Sequence, residues 1–231
     1  MRAAQMAYDF EFLGAPMVYS WSSKGAVGLM GMQHDQENLQ NTVSQLREFV
    51  LEAQQKTSGS LHLVAHSMGN RALVEMLKRL TEDPRVPAIV ASRPGRTKLF
   101  GEIVLAAPDV NQGSFTSVDA AAVQKLADRV SLYVADDRAL EFARIFSSNR
   151  RIGESGKGIF VEEGVETINA AGADKEMFSL RHSYPFHVQK VLEDLAAVIV
   201  RRAKATDPSR KLHETKTEDQ KIYWSLIAPK S

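Results

Sequence analysis

A chain of 231 residues, 44% hydrophobic and 25% charged, is long enough for one large domain with a well-buried core. Its formal net charge of +1 gives no bulk electrostatic pull toward nucleic acid or an anionic membrane, and no apolar run reaches the ~20 residues of a membrane-crossing helix. The absence of cysteine removes disulfides, thiolate metal sites and cysteine nucleophiles together. No secretory leader opens the chain, which places it in the cytoplasm if Met1 is the true start.

In chain order, short apolar runs alternate with amphipathic stretches, the pattern of a parallel sheet flanked by helices. Residues 16–21 read as a strand. Leu39, Val43, Leu46, Phe49, Val50 and Ala53 recur at helical spacing and predict a helix over 35–54. A turn at 57–60 leads into a buried strand at 61–65. Leu73, Met76, Leu77 and Leu80 then follow at i, i+3, i+4 and i+7, the stripe of a helix packed on a sheet. Residues 83–96 carry three prolines and a glycine and read as a loop outside the core. A strand at 102–107 ends in Pro108-Asp109, a weaker helix covers 118–127, and a strand at 129–135 ends in Asp136-Asp137 before a helical stretch from near Arg138. Residues 147–157 read as a loop, 165–169 as a short strand, and Val188, Val191, Leu192, Leu195, Val198 and Ile199 as the face of a final helix. From Ala203 the chain turns polar and reads as a flexible tail whose apolar end, 222–227, docks back on the domain. The expected organisation is one domain over 1–202 and a tail over 203–231.

The chemistry centres on Ser67, in Ala65-His66-Ser67-Met68-Gly69 between the buried strand and the amphipathic helix. A sharp strand-to-helix turn lifts a serine hydroxyl above the sheet edge, and small residues at positions −2 and +2 make room for it. Here position −2 is Ala65 instead of glycine. The helix N-terminus points at the site, so the Met68 amide is the expected oxyanion donor. A serine nucleophile needs a base, and the base an orienting carboxylate, in the chain order serine, acid, histidine. Only His182, His187 and His213 follow Ser67. His182, in the loop before the last helix, is the expected base, ahead of His187 at the helix start and His213 in the tail. Asp137, Asp136 and Asp109 all end strands, where catalytic groups of parallel sheets gather, and are the candidate acids. His62 and His66 share a strand parity, but there is no HExxH, so no metal is expected. No GxGxxG follows a strand and there is no P-loop lysine, so no nucleotide cofactor is expected either.

The segments Val64-Ala65-His66-Ser67-Met68-Gly69-Asn70-Arg71-Ala72-Leu73, Val104-Leu105-Ala106-Ala107-Pro108-Asp109-Val110, Asp137-Arg138-Ala139-Leu140 and His182-Ser183-Tyr184 resemble the esterase/lipase-like α/β-hydrolases of the domain of unknown function 900 family. Ala3-Ala4-Gln5-Met6-Ala7-Tyr8-Asp9 and Tyr19-Ser20-Trp21-Ser22-Ser23 extend the likeness, which runs from about residue 2 to about 200. The resemblance implies an α/β-hydrolase fold, a mostly parallel sheet with helices on both faces. It implies a triad of Ser67, Asp137 and His182, with Asp137 ahead of Asp136 because it directly precedes Arg-Ala-Leu.

One departure stands out. Members of that family carry, before the first helix, a strand ending in a His-Gly turn that supplies the second oxyanion donor. This chain begins at the helix and contains no His-Gly pair, so the fold is expected to be N-terminally truncated, with an incomplete oxyanion hole. The expected function is a serine hydrolase acting on a small-molecule carboxylic ester or related acyl substrate. The competing expectation is a non-catalytic, hydrolase-like module used for binding.

Overall fold

In the computed structural model, which describes residues 2–20, 29–115, 117–135, 150–172 and 189–228 (the side chains of 2–5, 29–37, 117 and 118 aside), the apolar runs assemble into a six-stranded sheet. The strands are β1 (Leu63–His66), β2 (Phe100–Ala106), β3 (Ala127–Val134), β4 (Val165–Asn169), β5 (His213–Lys216) and β6 (Ile222–Ser225). Their spatial order is β1-β2-β3-β4-β6-β5, and every neighbouring pair is parallel except β5 with β6.

Strand parity sorts the core into two layers. Ile103 and Leu105 of β2 and Val130, Leu132 and Val134 of β3 face a cluster completed by helices α2 (Leu29–Lys56), α3 (Gly69–Thr81) and α5 (Ser117–Leu126). Val104, Tyr133 and Ile168 face the other way, onto Phe10 just beyond α1 (Arg2–Asp9) and onto Val191, Leu195 and Val198 of α6 (Gln189–Ile199). With both faces covered, β2 is buried along its whole length, as a central parallel strand should be. β1 pairs with β2 alone. Among the described strands it is a sheet edge, and Val64 is 38% exposed there.

Four expectations are corrected. Residues 15–20 form no strand: without a ladder partner the segment stays irregular, Met17 and Val18 are exposed, and only Tyr19 packs, its ring centroid 5.4 Å from that of Phe49 on α2. Trp21 lies outside the described residues. The loop expected over 83–96 contains the helix α4 (Arg85–Ala91), which buries Ile89. Its prolines do not break it, because Pro84 is the N-cap and Pro87 lies in the first turn, where no N–H is needed. Of the loop expected over 147–157, residues 151–154 are buried and bridge to Asn111 and Ala135.

The fourth correction concerns the tail, which is built into the fold through residue 228. A 3-10 turn, Pro208–Arg210, precedes the β5–β6 hairpin, and β6 pairs with β4 through Ile168↔Trp224 and Asn169↔Ser225. The expected docking of the apolar end is met by Leu226, which is buried. The rest is held by a charged anchor that hydropathy does not reveal. The fully buried Arg210 guanidinium lies 2.7 Å from Asp194 Oδ1 and 3.1 Å from Glu166 Oε2, and the Tyr133 hydroxyl donates to Asp194 Oδ2 at 2.5 Å. Burial first, and then the Asp194 charge, raise the Tyr133 hydroxyl well above its ordinary pKa. The helical stretch expected from near Arg138 lies outside the described residues.

Candidate active site at the end of the first strand

Ser67 is the last rung of β1 and the first residue of the turn into α3. Its N–H donates to Ala106 O at 3.1 Å, continuing the ladder with β2, while its φ of +51° lies in the left-handed region. That conformation costs a non-glycine residue about 1–3 kcal/mol and persists only where the surroundings enforce it. The enforcement is visible at the Ser67 carbonyl, which accepts from Asn70 N at 3.1 Å, Asn70 Nδ2 at 3.0 Å and Asp109 N at 3.2 Å. Asn70, fully buried, also donates from Nδ2 to Ala106 O at 3.3 Å, so one amide ties the turn to β2.

The outer side of the turn carries groups without partners among the described residues. Met68 is the N-cap of α3 and makes no side-chain cap hydrogen bond. Among the described residues nothing accepts the Met68 N–H and nothing bonds the Ser67 hydroxyl. The helix dipole adds positive potential at the same point. Ala65 is accommodated at position −2. At position +2, a Cβ on Gly69 would meet no described residue within 4 Å. With β1 at the sheet edge, no described element crowds that side.

Asp109 is 4% exposed, and two arginines hold it. Arg71 Nη2 lies 2.9 Å from Oδ2, Arg71 Nε donates to the Asp109 carbonyl at 2.8 Å, and Arg151 Nε lies 3.0 Å from Oδ1. A second left-handed residue, Ala107 (φ +41°), folds the chain after β2 back toward Ser67. Gly153 permits this, because a Cβ there would sit 2.5 Å from Pro108 N and 2.7 Å from Ala107 C. Asn70, Arg71, Ala107, Arg151 and Gly153 are the site residues that sequence reasoning missed. The one readable signal was a polar Asn-Arg pair in the first turn of an otherwise apolar-faced helix.

Asp136, Asp137, His182 and His187 lie outside the described residues. Their flanks are in place. β3 and its extension Ala135 end beside Ala106 and Ala107, with Ala107 N donating to Tyr133 O at 2.8 Å, and α6 begins at Gln189. His213 is on β5, at the opposite sheet edge from Ser67. His62 is at the other end of the β1 segment, where its Nδ1 accepts from Glu102 N at 3.0 Å. Burial, and then the Arg202 and Arg96 charges, lower its pKa to about 4. Among the described residues no group of three or more His, Cys, Asp or Glu side chains is placed to hold a metal ion, and no helix is long and apolar enough to cross a membrane. A cavity of about 700 Å³ between the end of α1, α6 and residues 209–213 has a charged lining and does not include Ser67.

A mostly parallel sheet covered by helices on both faces, with a left-handed serine joining a strand to a helix at its carboxyl end, defines the α/β-hydrolase class. The chain belongs to the family described as alpha/beta hydrolase of unknown function (DUF900), which it matches over residues 1–202. The match stops where the 3-10 turn and the β5–β6 hairpin begin to extend the sheet. No curated protein and no solved structure matches the chain.

Proposed function

We propose that this protein is a serine hydrolase acting on a carboxylic ester or a related small acyl substrate. The observation that carries the reading is the left-handed Ser67, enforced on its carbonyl side, with a hydroxyl that no described residue bonds. Backbone strain on a nucleophilic residue at the carboxyl end of a parallel strand is costly, and it aims Oγ away from the sheet.

In the proposed reaction Ser67 Oγ attacks the acyl carbonyl while His182 takes the hydroxyl proton. Met68 N–H holds the tetrahedral oxyanion. His182 returns the proton to the leaving oxygen, which departs with the electron pair of the broken C–O bond. Water, deprotonated by His182, then attacks the acyl-serine; the bond to Ser67 Oγ breaks, His182 returns the proton to Oγ, and the acid leaves. Asp137 orients His182 and stabilises the imidazolium, with Asp136 as the alternative. Engagement of Asp109 by Arg71 and Arg151 supports placing the acid after β3 instead.

The second reading, a non-catalytic module, has one observation in its favour. β1 is a sheet edge among the described strands, so no described strand brings a second donor over Ser67. Loss of one oxyanion donor typically costs about 10²–10³ in turnover. Labelling with a fluorophosphonate probe separates the two readings. Labelling abolished by Ser67→Ala and sharply reduced by His182→Ala is expected, whereas a folded chain that takes no label favours the binding module.

A further inference from the structure

The Arg71–Asp109–Arg151 cluster sits directly beneath the strained serine, and the catalytic scheme does not use it. Asp109 reaches Ser67 through its own backbone, the N–H donating to the Ser67 carbonyl at 3.2 Å. Its carboxylate is flanked from two directions, by Arg71 on the first turn of α3 and by Arg151 on the buried segment 151–154. Arg71 also bonds the Asp109 carbonyl, so both the main chain and the side chain of that residue are fixed. Every partner is supplied by a different chain segment: α3, the turn after β2, and residues 150–154. The third of these segments is seated by Ile152 N donating to Val110 O at 3.0 Å and by the close approach of Gly153 to Pro108.

Resting on the reading of Ser67 as the nucleophile, we propose that Asp109 is a positioning residue that clamps the Ser67 turn in its left-handed conformation, with Arg71 and Arg151 as its two anchors. The carboxylate is held by a hydrogen bond from Arg71 at Oδ2 and by the charge of Arg151 beside Oδ1, which together favour one geometry. That geometry presents the Asp109 N–H to the Ser67 carbonyl and so opposes relaxation of the turn. Removing the carboxylate takes away the charge that draws Arg71 and Arg151 together beneath the turn, which would loosen α3 against the 150–154 segment and release the serine.

The test compares Asp109→Ala, Asp109→Asn and Asp137→Asn in the full chain, with Val198→Ala on the far face of the sheet as a destabilised control. Two quantities are read: amide hydrogen exchange across residues 67–72, and the rate of Ser67 labelling by a fluorophosphonate as a function of pH. Exchange in 67–72 should rise selectively in Asp109→Ala, and less in Asp109→Asn, which keeps the shape and one arginine contact. Labelling should slow by about 10- to 100-fold in Asp109→Ala, the scale of a small misplacement of the reacting atom, with the pH profile unmoved. Asp137→Asn should cost ~10⁴-fold and leave exchange at 67–72 as it was. The proposal is overturned if exchange at 67–72 is unchanged in Asp109→Ala, or if it rises uniformly along the chain as in Val198→Ala. It is equally overturned if Asp109→Asn loses ~10⁴-fold in labelling, which would make Asp109 the acid. A wild-type chain that takes no label would sink the hydrolase reading alone, and the exchange comparison would still decide whether the clamp exists.

Discussion

The two ends of the β1–β2 pair are built on opposite principles. At the amino end, Glu102 is fully buried and lies 3.0 Å from Arg129 and 3.4 Å from Arg202, Arg202 continues to Asp128 at 2.6 Å, and His62 caps the Glu102 amide. Gly101 leaves room for that imidazole, since a Cβ would lie 2.7 Å from His62 Cε1. The strand residues there have ordinary backbone angles. At the carboxyl end, Ser67 and Ala107 are both left-handed, and a hydroxyl and an amide N–H face outward with no partner among the described residues. Charge pairing serves cohesion at one end. At the other it holds strain in place beside unsaturated groups, which is how a reactive site differs from a structural one.

That contrast can be broken most severely at Glu102. Glu102→Ala leaves the nearly buried Arg129 without its counter-charge and should cost about 3 kcal/mol, on the order of 10 °C in Tm, with Ser67 labelling of the folded fraction unchanged. If labelling falls in step with stability, the two ends are not separable. Gly153→Ala should be milder, about 1–3 kcal/mol by urea denaturation for overpacking against Pro108. It should also slow labelling, because the displaced segment carries Arg151. The smallest effect is a pH dependence at the amino end. The folded state holds His62 at a pKa of about 4 against 6.5, so the unfolded chain binds more protons between those values. The stability contribution is therefore complete above pH 6.5 and is lost as pH falls toward 4. His62→Gln should flatten that part of the Tm–pH curve. The slope should be shallow because the imidazole is only partly buried, and a wild-type curve that is flat from pH 6.5 to 4 would contradict the assignment.

Much of this was legible in the sequence because it rests on local pattern. The apolar runs behind β1, β2, β3 and β4 and the stripe of α3 are period signals, and Ala-His-Ser-Met-Gly between strand and helix marks the turn. The misses have physical reasons. The prolines of 83–96 suggested a loop, but Pro84 is the N-cap of α4, Pro87 lies in its first turn, the one part of a helix that tolerates proline, and Pro94 lies beyond its end. The segment after Ala203 looks like a tail because its anchor is the buried charge of Arg210, and β5 keeps mostly exposed side chains. Residues 16–20 have strand-like composition but no ladder to join. Asp109 matched the pattern of a catalytic acid, an aspartate ending a parallel strand, because its arginine partners Arg71 and Arg151 are remote in sequence and only folding brings them together.

The central claim is that Ser67 holds a strained backbone for the sake of its hydroxyl. The most direct measurement is the difference in unfolding free energy between Ser67→Gly and Ser67→Ala, both of which lack the hydroxyl. Glycine normally costs about 0.5–1 kcal/mol relative to alanine through chain entropy, but at a left-handed position it avoids the Cβ penalty. The account predicts that Ser67→Gly is the more stable of the two by about 1 kcal/mol, with neither variant labelled by a fluorophosphonate. If Ser67→Ala is the more stable, the left-handed turn is absent in solution and the site described here does not exist.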